Sequence, residues 1–462
     1  MADHGMRTAV VLGGSMAGLL AARVLAEVYS EVVIVDRDEI QGVRGPRRGV
    51  PQGRQIHGLQ PAGQRILEEL FPGLTEDLAG DGAQIQDTVA DGHWYFRGRK
   101  LMQSPSDLVT VAASRPLLEY HVRRRVAAFD AVSFLERRDI VGLTTTPDAS
   151  RVTGVRVRPQ EVGSATEEIR ADLVVDAMGR GSRTPVWLEE LGYPRVQEDR
   201  LKVGVGYTTR HYRVPPKDVS DGKAVVVVGS PEQPRGAICA RVEGDRIQVT
   251  ANGMLDDRPA ADADGFHAYL LSLAAPPVHQ LIRHAEPLDD PVTYRVPVSV
   301  RRHYDRMARF PEGFLVTGDS VCAFNPVYAQ GMTVAALGAM VLRRCLRSGR
   351  PLDPRAFLRD LTRTAVAPSW EANTANDLAF QGVEGRRTWR IRLMQAWGVR
   401  IQEAAAVDAE VAHRFIRVLS LVDPGSALLR PSLVWRALRV RRQHGRPPVP
   451  RATAPAAGRA ER

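Results

Sequence analysis

The chain opens on a short unbroken apolar run, Thr8 to Leu12. A glycine-rich turn follows, then apolar residues at helical spacing (Leu19, Leu20, Val24 and Val28), then a second apolar run, Val32 to Val35. Unbroken runs of four or five apolar residues mark strands buried on both faces, as in a parallel sheet, so this segment predicts strand, turn, helix over 17–28 and strand. Helical patterns recur over Gln64 to Leu70 and Ser114 to Phe129, and strand patterns over Val152 to Val157 and Ile169 to Val175. Between 201 and 251 the character changes. Strand-like runs (Val203 to Tyr212, Ala224 to Val228, Arg246 to Ala251) alternate with Gly, Pro and Asp, which predicts an antiparallel sheet. Phe314 to Gly318 returns to the buried-strand pattern, and Asp353 to Leu438 is mostly helical. The expected fold class is α/β, with a parallel-sheet unit, an antiparallel-sheet insertion and a helical C-terminal region. No internal repeat is present.

Composition narrows the function classes. At 462 residues, 44% hydrophobic and 25% charged, the chain is globular and long enough for two or three packed units. Its three cysteines, Cys239, Cys322 and Cys345, are far apart, which argues against structural zinc and a redox dithiol and fits a reducing cytosol. The net charge is +10, and 59 of the 63 basic residues are arginine. Residues 431–462 hold eight Arg and one Glu, so most of the excess is a Pro- and Arg-rich tail, and no nucleic-acid motif accompanies it. No secretory pattern leads into the first apolar run. The uncharged stretch from Ser320 to Leu342 is interrupted by Asn325, Pro326, Gln330 and Gly331. Its apolar helical part, Met332 to Leu342, is shorter than the roughly 20 residues of a membrane span and reads as a buried helix behind a ligand loop.

Candidate chemistry begins at Gly13-x-Ser15-x-x-Gly18. In the dinucleotide fingerprint the first glycine makes the sharp turn, the second admits the backbone to a pyrophosphate and the third lets helix and strand pack closely. The start of that helix, with Met16 and Ala17 in the turn that leads into it, aims unpaired N–H groups at the phosphates. Ser15 takes the second glycine's place, with a small side chain. Asp36 lies 23 residues after Gly13 and, with Arg37, ends the second strand, where an acid accepts hydrogen bonds from a ribose. This fingerprint alone does not separate NAD from FAD.

The separation comes from Gly313-Phe-Leu-Val-Thr-Gly-Asp319-Ser and Asn325-Pro-Val-Tyr-Ala-Gln-Gly331-Met. With these residues the chain resembles the FAD-dependent monooxygenases of the p-hydroxybenzoate hydroxylase type, and within them the flavin epoxidases of polyether and other polyketide pathways. Arg47-Arg-Gly-Val-Pro-Gln52, Ala113-Ser-Arg115 and Asp172-Leu-Val-Val-Asp176 with Gly179-Arg-Gly-Ser182 extend the likeness. The resemblance implies an FAD-binding domain over 1–185 and 295–346, a substrate domain over 186–294 and a helical region over 347–462. It implies that Asp319 binds the ribityl chain, and that Gly331 and Met332 open a helix facing the flavin N1–C2=O edge. Arg115 is implied near flavin and pyrophosphate, and Arg48 and Gln52 beside the isoalloxazine ring. The pattern departs in three places. Met178-Gly179 stands where the family often carries an Asp-Gly pair associated with FAD and NADPH, Ser15 replaces glycine, and Ala329 occupies a usual glycine position.

In such enzymes flavin reduced by NADPH or NADH reacts with oxygen to give a C4a-hydroperoxide, whose distal oxygen passes to an alkene or an activated ring; the protein orients substrate and excludes water. The leading expectation is epoxidation or hydroxylation of a bulky apolar polyketide-like molecule, free or carrier-bound. The alternatives are a redox-silent [4+2] cyclase on the same scaffold and a flavin-dependent reductase of isoprenoid double bonds. Tyr207, Arg210 and Tyr212 are candidate substrate contacts, with strand alternation putting Tyr207 and Tyr212 on opposite faces. His57 reads as structural. The basic amphipathic stretch from Leu433 to Arg442 is expected to pack on its own protein, with an anionic membrane as the alternative.

Overall fold

The structure, a computed structural model, describes residues 7–213, 224–275 and 277–444. Five parallel strands form the first sheet, in the order Phe314–Val316, Leu173–Asp176, Thr8–Leu12, Glu31–Val35, Val132–Leu135. The helices Met16–Leu25 and Gly331–Arg347 pack together on this sheet. Leu19, Leu20, Val24 and Leu25 are fully buried. The first helix ends before Val28, which is 40% exposed, because a turn returns the chain into Glu31–Val35.

The run from Ile169 to Val175 is two strands rather than one. Glu167–Arg170 pairs in a three-stranded meander with Val152–Pro159, itself paired to Arg138–Thr145, whereas Leu173–Asp176 enters the parallel sheet. Asp172 marks the break and accepts the Thr8 N–H at 2.9 Å.

The large sheet is mostly antiparallel. Its order is Cys322–Ala323, Val292–Arg302, Glu198–Arg213, Arg246–Gly253, Arg235–Val242, Ala224–Val228, Gly92–Phe96, Arg99–Lys100. Two expected boundaries move. The one at 294/295 falls inside the strand Val292–Arg302, and residues 92–100, assigned by sequence to the nucleotide domain, complete this sheet alongside Ala224–Val228. The long edge of Val292–Arg302 was not legible because Pro297 interrupts it. That proline sits where the ladder to Glu198–Arg213 slips between Lys202 and Val205, a bulge that tolerates a residue without an N–H.

The two faces of this sheet have different neighbours. Tyr212, Val249, Ala251, Ala237 and Cys239 pack on the helices Ala263–Leu271 and Pro277–Ile282. The other face meets the loop around residue 55: Gln55 bonds Thr209, Ile56 N–H donates to Thr250 Oγ1, and Gln248 donates to Arg54 O. The C-terminal region is helical over Pro354–Leu361, Ala367–Asp377, Trp389–Ala405, Ala409–Leu419 and Pro431–His444. The last of these packs through Leu433 and Ala437 on Ile401, Val411 and Phe415, and the tail beyond 444 lies outside the described residues. No helix among the described residues is long and apolar enough to cross a membrane.

Asp176 fastens the parallel sheet to its loops. It is fully buried and accepts from Ser182 Oγ, Thr184 Oγ1 at 2.6 Å, Met178 N–H at 2.8 Å and Ser320 Oγ at 3.0 Å. Burial raises its pKa and these donors oppose the rise. Asp176→Ala strands three hydroxyls and an amide and should destabilise the protein by roughly 2–4 kcal/mol in urea denaturation; a change under about 0.5 kcal/mol would refute the role.

Candidate functional site

The glycine turn after Thr8–Leu12 is sterically closed to side chains. Gly13 has φ +100°, and a Cβ there would lie 2.8 Å from Ala177 O. A Cβ on Gly18 would lie 1.8 Å from Gly13 O, so helix and turn meet at backbone distance. Ser15 is the extended N-cap of Met16–Leu25, but its hydroxyl makes no cap bond. It donates instead to Glu119 Oε2 at 3.2 Å and accepts from Arg115 Nη2 at 3.0 Å. The amides of the first turn are therefore left for an anion. Asp36 braces the turn, taking Gly14 N–H on Oδ2 at 2.7 Å and Asp38 N–H on Oδ1 at 2.8 Å. Each carboxylate oxygen keeps acceptor capacity for a ribose hydroxyl. Arg37 is exposed beside it.

The loop arginines divide differently from the sequence expectation. Arg48 is exposed, whereas Arg47 is buried and grips Glu119 through Nε at 2.9 Å and through Nη2. Arg47 also lies 3.6 Å from Asp36 and 3.5 Å from Asp38. Arg115, buried at the start of the helix Arg115–Val126, bonds Glu119 Oε2 at 3.1 Å as well as Ser15, and Arg123 approaches the same carboxylate at 3.5 Å. Burial alone would raise the Glu119 pKa, but Arg115, Arg47 and Arg123 hold it below the usual carboxylate value. The sequence reading found Arg115 and missed Arg47 and Glu119. The Glu119 signal was a lone acid four residues after Arg115 on one helix. Gln52 is half-buried on the turn Pro51–Arg54, while the buried Gln55, which bonds Thr209 and Val292 O (3.1 Å), ties the loop to the large sheet.

The second half of the site is a turn three hundred residues away in sequence. Gly318, at φ +62°, stands where a Cβ would lie 2.6 Å from Ala17 Cβ, so the Gly318–Ser320 turn rests on the first helix. Asp319 follows, half-buried, and its carboxylate accepts no hydrogen bond among the described residues. Its Oδ1 lies 3.8 Å from a Cβ built on Gly331, and its Cβ 3.9 Å from one built on Gly179. Burial raises its pKa while Arg180, Arg115 and Arg302 oppose the rise. Gly331 and Met332 begin the helix Gly331–Arg347, whose N-cap, Gln330, makes no side-chain cap bond. The loop before it is held from the C-terminal region. Asp377 Oδ1 accepts from Asn325 Nδ2 at 2.8 Å and from Tyr328 OH at 2.7 Å. Burial pushes the Asp377 pKa up to about 6 despite these bonds. Ala329 takes φ +51°, the left-handed conformation that explains why glycine is usual there.

Of the proposed substrate contacts, Tyr207 lies on the sheet face that meets the residue-55 loop, and its buried hydroxyl has no partner among the described residues. Arg210 and Tyr212 do not share that face. Arg210 donates to Asp289 O at 2.8 Å and stacks on Tyr212, whose ring is buried under the two outer helices. Alternation along the strand forces this division. His57 donates from Nδ1 to Gln55 O at 2.9 Å, and burial, with Arg115, lowers its pKa to about 4, so it is neutral at physiological pH.

A glycine turn closed to side chains, an uncapped helix start, a second uncapped helix start and an unpartnered carboxylate between them fit one extended dinucleotide. The family model for the FAD binding domain matches residues 6–348. The chain belongs to the FAD-dependent monooxygenases of the p-hydroxybenzoate hydroxylase type. This flavoenzyme is 34% identical to Protein Rv3254 of Mycobacterium tuberculosis, over 94% of this chain and 93% of that one. It is 28% identical to kynurenine 3-monooxygenase of Salinispora arenicola, over 73% of this chain and 72% of the relative. Among solved structures it resembles the Diels-Alderase PyrE3 of pyrroindomycin biosynthesis, at TM-score 0.58 and 18% identity, covering 91% of this chain and 81% of that one. FAD is its cofactor, and NAD(P)H is the family's usual electron donor.

Two outcomes test the site. Asp319→Ala should weaken FAD binding at least about tenfold in a fluorescence titration of apoprotein, the loss of one charge-assisted hydrogen bond; unchanged affinity would remove Asp319 from the site. Asp377 ionises near pH 6 when folded and near 3.8 when unfolded. Its folded pKa is raised, so its contribution is full below the unfolded value and falls as pH rises through 6. Asp377→Asn cannot ionise. The variant's stability relative to the parent should therefore climb by roughly 2–3 kcal/mol between about pH 4 and 7, and a flat difference would contradict the burial.

Proposed function

We propose that this FAD-dependent monooxygenase oxygenates a bulky, uncharged, apolar substrate of the polyketide kind, by epoxidation or hydroxylation. The observation that carries the reading is the sheet face above the residue-55 loop. By register and alternation, its positions beside the loop are Tyr207, Asn252, Ile238, Ala240 and Val226, with Thr209, Gln248 and Thr250 covered by the loop itself, and none of them carries a charge. Val226 and Ile238 are half-exposed there. An amino-acid substrate such as kynurenine needs partners for an ammonium and a carboxylate, and this stretch offers none.

In this reading the amides after Gly13 and the start of Met16–Leu25 take the pyrophosphate, with Arg115 as the nearby cation. Asp36 takes the adenosine ribose, and Asp319 the ribityl hydroxyls. The Gly331 and Met332 amides face the pyrimidine edge of the ring, where a helix N-terminus stabilises negative charge. When bound, FAD supplies electron transfer from NADPH or NADH and activation of oxygen. The protein orients the substrate beneath the sheet and excludes water. An apolar alkene needs no general base, in keeping with a neutral His57.

A second reading, redox-silent ring closure of a polyene, draws on Met178, half-buried where the family often carries an acid associated with NADPH. One assay separates the two. The holoenzyme is given NADPH or NADH and a panel of long-chain polyenes, with oxygen uptake and product mass recorded. Substrate-stimulated uptake with a product heavier by one oxygen atom is expected. An isomeric product formed without reductant or oxygen would replace oxygenation by cyclisation.

A further inference from the structure

The helix Trp389–Ala405 carries one apolar stripe, and only half of it is covered. At the C-terminal end Ile401, Ala404 and Ala405 are fully buried against Ala409–Leu419 and Pro431–His444. At the N-terminal end the same side presents Trp389, Leu393 and Met394, at 70%, 62% and 50% exposure. Helical geometry places these residues and Ile401 within one arc of less than half a turn, shared with Arg390 and Arg400, so a single mixed apolar and basic face passes from core to open surface. Trp397 Nε1 donates to Leu428 O at 3.3 Å and Arg400 reaches Leu438 O at 3.4 Å, which lays the turn Gly425–Leu429 and the helix Pro431–His444 alongside. Those two elements add exposed Leu429, Trp435 and Leu438.

Charge says what kind of surface this face meets. Residues 385–402 contain five arginines and no acid, and residues 424–444 contain five more and no acid. Arg390, Arg392 and Arg439 make no salt bridge among the described residues, and Arg390 and Arg439 lie over the rings of Trp389 and Trp435. The chain that continues beyond 444 adds four arginines against one glutamate. Arg400 and Arg436 pair with Glu403 and Asp408, but tryptophan, leucine and methionine framed by Arg390, Arg392 and Arg439 match the headgroup layer of an anionic bilayer, where apolar side chains enter the acyl boundary and guanidinium groups meet phosphate. A second copy of this chain would bring the same positive frame against itself, which the charge opposes.

We propose that the uncovered half of this stripe, with Leu429, Trp435 and Leu438, docks the enzyme on anionic lipid bilayers as a peripheral protein. The assignment stands apart from the substrate reading, because it rests on a face outside the flavin site.

The test uses the full-length holoenzyme, sedimented with vesicles of phosphatidylcholine alone and of phosphatidylcholine mixed with an equal part of phosphatidylglycerol. Trp389→Ser/Leu393→Ser is the variant. Both positions are exposed, so its fold and flavin content should match the parent, and Trp435→Ser serves as a second variant should the first fail to fold. The parent should sediment with the anionic vesicles only, less so as salt is raised, and the variant's partition coefficient should fall roughly tenfold or more. Failure to sediment with anionic vesicles, equal binding to neutral ones, or unchanged partition in a folded variant each overturns the proposal. So does a concentration-dependent dimer that the variant abolishes in the absence of lipid binding.

Discussion

The site exists because a carboxylate with no access to water has to find its donors inside the protein. Asp176 ends the strand Leu173–Asp176, between Thr8–Leu12 on one side and Phe314–Val316 on the other. Its acceptors are filled by the loop 178–184 and by Ser320, the residue after Asp319. A buried carboxylate that loses its donors costs several kcal/mol, so the Gly318–Ser320 turn cannot drift without exposing that cost. Arg302 closes the arrangement from the large sheet by donating to Ser320 O at 2.9 Å and Arg180 O at 3.1 Å. Asp319 is then fixed beside the first helix, and its carboxylate accepts no hydrogen bond among the described residues.

A second buried charge organises the opposite end. Glu119 is surrounded by Arg47, Arg115 and Arg123, with Asp36 and Asp38 on the far side of Arg47. Three guanidinium groups and three carboxylates balance, which is the condition for burying so many charges together. Pairing with Glu119 draws Ser15 into the cluster and away from the helix start. The serine in place of a glycine thus costs the anion site none of its amides.

Legibility followed periodicity and turn chemistry. Gly13, Gly18, Asp36 and Asp319 were readable because each motif requires its residue type at a fixed place in a strand–turn–helix unit. The sequence points to Arg48 while the structure buries Arg47, because two adjacent arginines in an irregular loop carry no period to say which turns inward; pairing with Glu119, seventy-two residues on, decides it. Arg210 and Tyr212 were chosen from a strand whose buried face is settled only by which helices cover it. Alternation did state that Tyr207 and Tyr212 part company, but not which of them faces the loop. The strand Val292–Arg302 was hidden by Pro297, and the paired use of Asp172 and Asp176 as sheet fasteners needs contacts more than a hundred residues apart.

The family likeness runs to residue 348, yet the site leans on the helical region beyond that point. Asp377, at the end of Ala367–Asp377, holds both Asn325 and Tyr328, so the loop that presents Gly331 is anchored from the C-terminal side of the chain. Leu378, Phe380 and Val383, the next residues, pack with Tyr207, Val205 and Val296 of the large sheet. One helix end thereby sets the distance between the large sheet and the loop before Gly331. A change of packing there reshapes the space between the large sheet and that loop while leaving Gly13, Gly18 and Asp319 in place. The turns at Gly13 and Gly318 are constrained by closed contacts that admit no side chain, whereas the space between the large sheet and the loop before Gly331 is bounded by ordinary apolar packing, which tolerates exchange of size and shape.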